Sequence, residues 1–156
     1  MSVLSAVLKA RDCLQDSTPL RRDCGLYCGA ACCMGDEKTG MLLFPREEVL
    51  YKNCAFGRIV PTNYHLGGRI ALLFVCKGEC PREERPLSCR LFPARILMNG
   101  EIAMDTRAAT ICPLFTSGTD AFTPSFRLAV REAAKALLAD TECRAFLADL
   151  DAALRL

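Results

Sequence analysis

Cysteine is the residue that most constrains how this chain can fold, because it is both abundant and clustered. Eleven of the 156 residues are cysteine, and eight of these fall into two blocks and one Cys-Pro pair. The eight are Cys24, Cys28, Cys32, Cys33, Cys76, Cys80, Cys89 and Cys112. Thiols at this density form disulfides in an oxidising compartment or bind metal in a reducing one.

Three features favour metal over disulfides. The N-terminal stretch MSVLSAVLKARD has neither the basic region nor the long apolar run of a secretory signal. The number of cysteines is odd, and Cys32 and Cys33 are direct neighbours within the first block. We therefore expect a cytoplasmic protein whose clustered thiols bind a metal ion.

Composition narrows the class of protein further. A chain of 156 residues with 51% apolar and 24% charged residues is long enough for one globular domain, spanning 1–156. No apolar run approaches the roughly 18 residues that a membrane span needs, so we expect no membrane association. The net charge of +2 and the lack of aromatic residues interleaved with basic clusters argue against nucleic acid as a partner.

Local patterns predict an α+β fold with a small antiparallel sheet and flanking helices. Short helices are expected over 2–15 and after Pro45, and a buried strand over 69–75. Asn99-Gly100 between two apolar runs predicts a β-hairpin over 95–104. Thr123-Pro124 is typical of a helix start, and an apolar stripe then predicts a C-terminal helical hairpin over about 123–154. The cysteines would lie mainly in loops of a core spanning about 20–115.

The thiols suit zinc or iron–sulfur, since an all-sulfur tetrahedral site is typical of both. Zinc sites often begin with two cysteines two to four residues apart, as Cys24 and Cys28 are. The first block begins like the cluster loop Cys-x3-Cys-x2-Cys of radical enzymes, but its third cysteine, Cys32, comes one residue later than in that loop. Ferredoxin-type Cys-x2-Cys runs do not occur in the sequence. His65 has no partner histidine and is interpreted as a surface or strand residue. Zinc is therefore the expected metal, with iron or an iron–sulfur cluster as the alternative.

The ligands must come from both blocks. Neighbouring side chains diverge, so Cys32 and Cys33 either ligate different metals or divide into one ligand and one structural thiol. Cys13, Cys54 and Cys143 lie outside the blocks and are expected to be buried thiols. Arginines near the cysteines in sequence would offset thiolate charge or else form a solvated loop face. They are Arg21, Arg22, Arg82, Arg85 and Arg90.

Two acidic pairs and two single aspartates are not expected to form a site. Glu47-Glu48 and Glu83-Glu84 are interpreted as solvated surface, because adjacent carboxylates rarely converge on one substrate. Asp105 and Asp120 are interpreted as turn or cap residues.

The cysteine pattern resembles the YkgJ-type cysteine-cluster family, a zinc- or iron-chelating domain with a CxxCxxCC signature. The resemblance covers roughly 20–115 and lies in the opening cluster, in the segment Arg-Pro-Leu-Ser-Cys-Arg-Leu-Phe-Pro over 85–93, and in Cys112-Pro113. It implies metal chelation by the eight cysteines. A related domain occurs in proteins called flagellin lysine N-methylases.

Three functions follow from these patterns. The first is a metal-binding protein whose thiolate ligands organise the fold. The second is an iron–sulfur redox or methyl-transfer enzyme, for which no catalytic residue can be named. The third is a metal carrier or thiol sensor, for which Cys76 and Cys80 would be the exposed reactive pair.

Overall fold

The structure is a computed structural model that describes residues 2–19, 40–77, 80–110 and 118–154. The α-helices are α1 (Val3–Cys13), α2 (Leu87–Leu91), α3 (Pro124–Leu138) and α4 (Thr141–Leu154). The strands are β1 (Met41–Leu42), β2 (Gly57–Leu66), β3 (Arg69–Cys76), β4 (Ala94–Ile96) and β5 (Ile102–Met104). Short 3-10 helices occupy Glu47–Leu50, Arg82–Glu84, Thr106–Thr110 and Gly118–Ala121. This arrangement confirms the predicted α+β class with a small antiparallel sheet.

The larger sheet has three antiparallel strands in the order β1-β3-β2. Its central strand, β3, confirms the strand predicted over 69–75, although Arg69 and Ile70 at its start are exposed. β2 is the longest strand and was not predicted. The sequence obscures it because Pro61 interrupts the ladder, and the register shifts between Pro61 and His65.

The second sheet is the hairpin of β4 and β5, which confirms the turn predicted at Asn99-Gly100. Only Gly100 has a positive φ, at 85°. The connection is longer than a two-residue turn, because Leu97 N donates to Glu101 O at 2.9 Å and Gly100 N donates to Leu97 O at 2.9 Å. The predicted hairpin is therefore confirmed, and its connection is longer than a two-residue turn.

The C-terminal helices form as predicted. Thr123 caps α3 by accepting a hydrogen bond from Phe126 N at 3.2 Å, and Pro124 occupies the first helical turn. The buried face of α3 includes Phe126, Val130 and Leu137, and it packs chiefly against α1. One large apolar cluster joins these helices to the sheet and to α2.

Among the described helices, none has the length and apolar character needed to cross a membrane.

Candidate metal centre

The structure describes three of the eight cysteines predicted as ligands. Cys76, Cys80 and Cys89 are each half-buried. The remaining five lie outside the described residues. They are Cys24, Cys28, Cys32, Cys33 and Cys112. The described part of the candidate site therefore consists of the second block and of residues that flank the other cysteines in sequence.

Cys76 is the last residue of β3, where it pairs with Gly57 of β2. On the other side of β3, Met41 pairs with Phe74. Gly40, the residue before Met41, lies against the same end of the strand. A Cβ added to Gly40 would be 2.9 Å from Phe74 O and 3.1 Å from the Val75 side chain. The chain that follows the first cysteine block thus enters the sheet at the end where Cys76 leaves it.

Cys89 lies in the middle of α2 and packs against a small apolar cluster of Met41, Phe92 and Ala108. This cluster connects three parts of the chain that are far apart in sequence. Met41 begins β1, and Ala108 precedes Cys112 by four residues, a length over which an extended chain covers at most about 14 Å. Met41 and Ala108, which are close in sequence to the first block and to Cys112, therefore both pack beside Cys89.

Cys89 also lines a cleft, here called the Cys89 cleft. It is lined by Leu14, Gln15, Ser17, Thr18, Pro19, Arg82, Arg85, Cys89, Arg90 and Phe92. Pro19 precedes Cys24 by five residues, which an extended chain spans in at most about 18 Å. Pro19, the described residue that comes just before the first block, therefore lines the same cleft as Cys89.

Three arginines that the sequence associates with the cysteines line the Cys89 cleft, namely Arg82, Arg85 and Arg90. None of the described residues lining this cleft is acidic. Arg90 is 8% exposed, so it is not part of a solvated loop face. Burial and the nearby Arg11 guanidinium lower the pKa of Arg90. The described part of the cleft is positively charged, which complements thiolate ligands.

A buried charge network lies behind the cleft and corrects one prediction. Glu47 was predicted to be solvated, but it is fully buried and forms an ion pair with Arg11 Nη1 at 2.7 Å. Its carboxylate also accepts hydrogen bonds from Phe44 N at 3.0 Å and from Leu87 N at 2.7 Å. No local pattern indicates this burial, because a carboxylate after Pro45 also suits an exposed helix start.

Tyr51 completes the network. Its hydroxyl accepts a hydrogen bond from Arg11 Nη1 and donates one to Glu84 O at 2.6 Å. The Arg11 guanidinium also lies over the Tyr51 ring, 5.6 Å from the ring centroid. Burial and the Glu47 charge raise the pKa of Tyr51, so this hydroxyl keeps its proton at neutral pH. Burial also raises the pKa of Glu47, and the Arg11 charge opposes that effect. We call Arg11, Glu47, Tyr51 and Arg90 the buried charge network.

The other predictions for acidic residues agree with the structure except at Glu48, which is half-buried. Glu83 and Glu84 are exposed. Asp105 is a cap, since its side chain accepts a hydrogen bond from Arg107 N at 2.9 Å, and it also pairs with the Arg107 guanidinium. Asp120 lies in the 3-10 helix that precedes α3 and is almost fully exposed.

The three cysteines outside the predicted ligand set occupy different environments. Cys143 is fully buried in α4, where burial, together with Asp140, raises the pKa of its thiol to about 12. Cys13 ends α1, and burial raises its thiol pKa as well. Both are poor thiolate donors in these positions. Cys54 is half-buried and packs against the same apolar cluster as Cys76, formed around Tyr51 and Phe74. His65 is an exposed residue of β2 that pairs with Ile70.

Within ranges 2–19, 40–77, 80–110 and 118–154, no three His, Cys, Asp or Glu side chains converge closely enough to hold a metal ion. The described thiols alone therefore do not make a complete site. A full site at Cys89 would also need donors from the first block or from Cys112. Soft thiolate donors are ligands that both zinc and iron–sulfur centres use.

Comparison with known proteins gives no relative: no protein-family model matches the chain, and neither the curated proteins nor the solved structures include a match.

Proposed function

We propose that this chain is a metal-binding protein in which cysteine thiolates from both blocks and Cys112 hold zinc around Cys89. The observation that carries the proposal is the position of Cys89 beside described residues that flank the other cysteine groups in sequence. Met41 and Ala108 pack with it and Pro19 lines the same cleft, and each is close in sequence to another cysteine group. Short connections of this kind lower the entropic cost of bringing ligands together.

The charges around Cys89 support the same proposal. Zinc held by four thiolates has a net charge of about −2, and such a site is more stable when cations lie nearby. Arg82, Arg85 and Arg90 line the same cleft as Cys89 and supply positive charge there. The apolar cluster of Met41, Phe92 and Ala108 contacts Cys89 and would limit access of water.

The proposed role of the metal is to organise the cysteine-bearing segments of a cytoplasmic protein. Binding of a structural zinc ion contributes on the order of 10 kcal/mol to folding in small zinc domains. We extend the proposal to kinship with the YkgJ-type cysteine-cluster family, which rests on the Arg-Pro-Leu-Ser-Cys-Arg-Leu-Phe-Pro segment around Cys89. Three residues of this segment, Pro86, Leu87 and Pro93, are almost fully buried, so they contribute to packing around Cys89.

The test compares metal content in cysteine variants of the full chain. Cys89→Ser removes the soft donor at the centre of the proposed site while nearly preserving its size. We expect this variant to lose most of the zinc that the unmodified protein retains after desalting, because a hydroxyl is a poor zinc ligand. Metal per chain is measured by mass spectrometry of the element against protein concentration.

Cys13→Ser is the matched control, because Cys13 is also half-buried but lies at the end of α1 and does not line the Cys89 cleft. It should retain the metal content of the unmodified protein. Equal metal content in Cys89→Ser and the unmodified protein would exclude Cys89 as a ligand. If the protein contains iron with an equal amount of sulfide in place of zinc, the same cysteines hold an iron–sulfur centre.

A further inference from the structure

Arg90 makes an unusual set of contacts for a buried arginine. Its guanidinium donates to four oxygens, and all four are neutral. Nε donates to Arg85 O at 2.8 Å, Nη2 to Glu83 O at 2.8 Å, and Nη1 to Arg11 O at 3.0 Å. Nη1 also donates to the side-chain oxygen of Gln15. The guanidinium therefore joins the end of α1 to the loop that precedes Cys89.

The oxygens of Glu83 and Arg85 belong to the connection between Cys80 and Cys89. Tyr51 donates to the carbonyl between them, Glu84 O, at 2.6 Å. Three consecutive carbonyls of this connection are thus bonded to side chains of the buried charge network. The Glu47 carboxylate accepts a hydrogen bond from Leu87 N, the first backbone N–H after the Arg85 carbonyl, and this bond fixes the start of α2. The backbone that leads into Cys89 is set by side chains rather than by a sheet or a long helix.

We propose that Arg90 is a positioning residue for the metal-binding thiols, holding the connection between Cys80 and Cys89 in the conformation that lets both thiols serve one centre. The inference rests on the proposed metal-binding function. It adds that the geometry of the second cysteine block is imposed by a buried guanidinium that does not itself touch the metal. Groups that orient metal ligands in this way commonly change metal affinity by about 10–100-fold when they are replaced.

Lysine cannot replace arginine in this position without loss. The Arg90 bonds diverge from three nitrogens toward two stretches of backbone, and a planar guanidinium provides that fixed fork. A lysine ammonium keeps the positive charge but offers its donors from one nitrogen. Arg90→Lys therefore separates orientation of the loop from the charge of the cleft.

The experiment measures Co²⁺ binding by the metal-free full-length protein, because thiolate-bound cobalt gives charge-transfer absorption and ligand-field bands that report ligand number and geometry. The unmodified protein should show both sets of bands. Arg90→Lys should bind Co²⁺ about 10–100-fold more weakly and show altered ligand-field bands. Tyr51→Phe, which removes only the hydroxyl that bonds Glu84 O, should give a smaller loss of affinity and is the second variant if Arg90→Lys does not fold.

Arg95→Lys is the control for loss of stability alone. Arg95 forms a largely buried ion pair with Asp151 at 2.8 Å, and it does not line the Cys89 cleft. This variant should melt at a lower temperature yet keep the affinity and the cobalt spectrum of the unmodified protein. If Arg90→Lys or Tyr51→Phe behaves as Arg95→Lys does, Arg90 stabilises the fold only and the inference is wrong. If the unmodified protein gives no thiolate–cobalt absorption, the proposed metal-binding function fails as well.

Discussion

Single residues in this protein differ most from expectation where charge is buried. Glu47, Arg11 and Arg90 are each less than one-tenth exposed. Exposure was predicted for Glu47, and charged residues in general are almost never fully buried unless they are paired. Their partners come from segments up to 79 positions away, as in the bond from Arg90 to Arg11 O. No local pattern encodes such pairing, so these residues could not be found from the sequence.

Replacement of Glu47 tests whether this buried pairing stabilises the fold. Glu47→Gln should lower the free energy of unfolding by about 3–5 kcal/mol, because it leaves the Arg11 charge buried without its counter-ion. The control is Glu132→Gln, which breaks an exposed pair with Lys135 and should change the free energy by less than about 0.5 kcal/mol. Denaturant unfolding at constant metal content measures both. Similar small effects in the two variants would show that the buried pair contributes little.

Thiol environments were more predictable than buried charges. Cys143 lies on the apolar face of a strongly patterned helix, so its burial follows from the helical period alone. The proximity of Cys89 to Met41 and Ala108, in contrast, depends on tertiary packing between segments that do not adjoin in sequence. The sequence therefore identified the candidate ligand types and grouped them, but could not place them in space.

At the scale of elements, prediction succeeded where one local signal was strong. The caps and apolar stripes located α3 and α4, and the run after Gly67-Gly68 located β3. β2 was not predicted, because five of its ten residues are exposed and Pro61 breaks the alternation of buried and exposed residues. It forms because β3 offers an antiparallel partner across a tight turn. The formation of β2 therefore depends on its pairing with β3 and not on the sequence of β2 alone.

The β2–β3 turn gives a matched test of how the sheet meets α4. Gly67 and Gly68 have φ of 63° and 80°, so alanine at either position costs roughly 1–2 kcal/mol in the left-handed region. At Gly67 an added Cβ would also lie 2.8 Å from Phe146 N, whereas nothing lies within 4 Å at Gly68. Gly67→Ala should therefore cost about 1–3 kcal/mol more than Gly68→Ala. Thermal and denaturant unfolding compare them, and equal costs would refute the close approach of turn and helix.

At the scale of the whole molecule, the described residues have an apolar core of their own. The largest cluster joins α1, the three-stranded sheet, α2, α3 and α4, and of the described cysteines it buries only Cys143. Two of the described candidate ligands, Cys76 and Cys89, pack instead on two smaller clusters. The proposed metal would therefore organise cysteine-bearing segments against an existing core, and would not substitute for one.

Elemental analysis shows whether the clustered thiolates of this protein hold a metal ion. Native protein, purified without oxygen and without added metal, is assayed for zinc, iron and acid-labile sulfide per chain. We expect at least one equivalent of zinc with no sulfide, whereas the alternative centre would give iron with matching sulfide. Protein that is folded, fully reduced and free of both metals would show that the thiolates do not hold a metal ion.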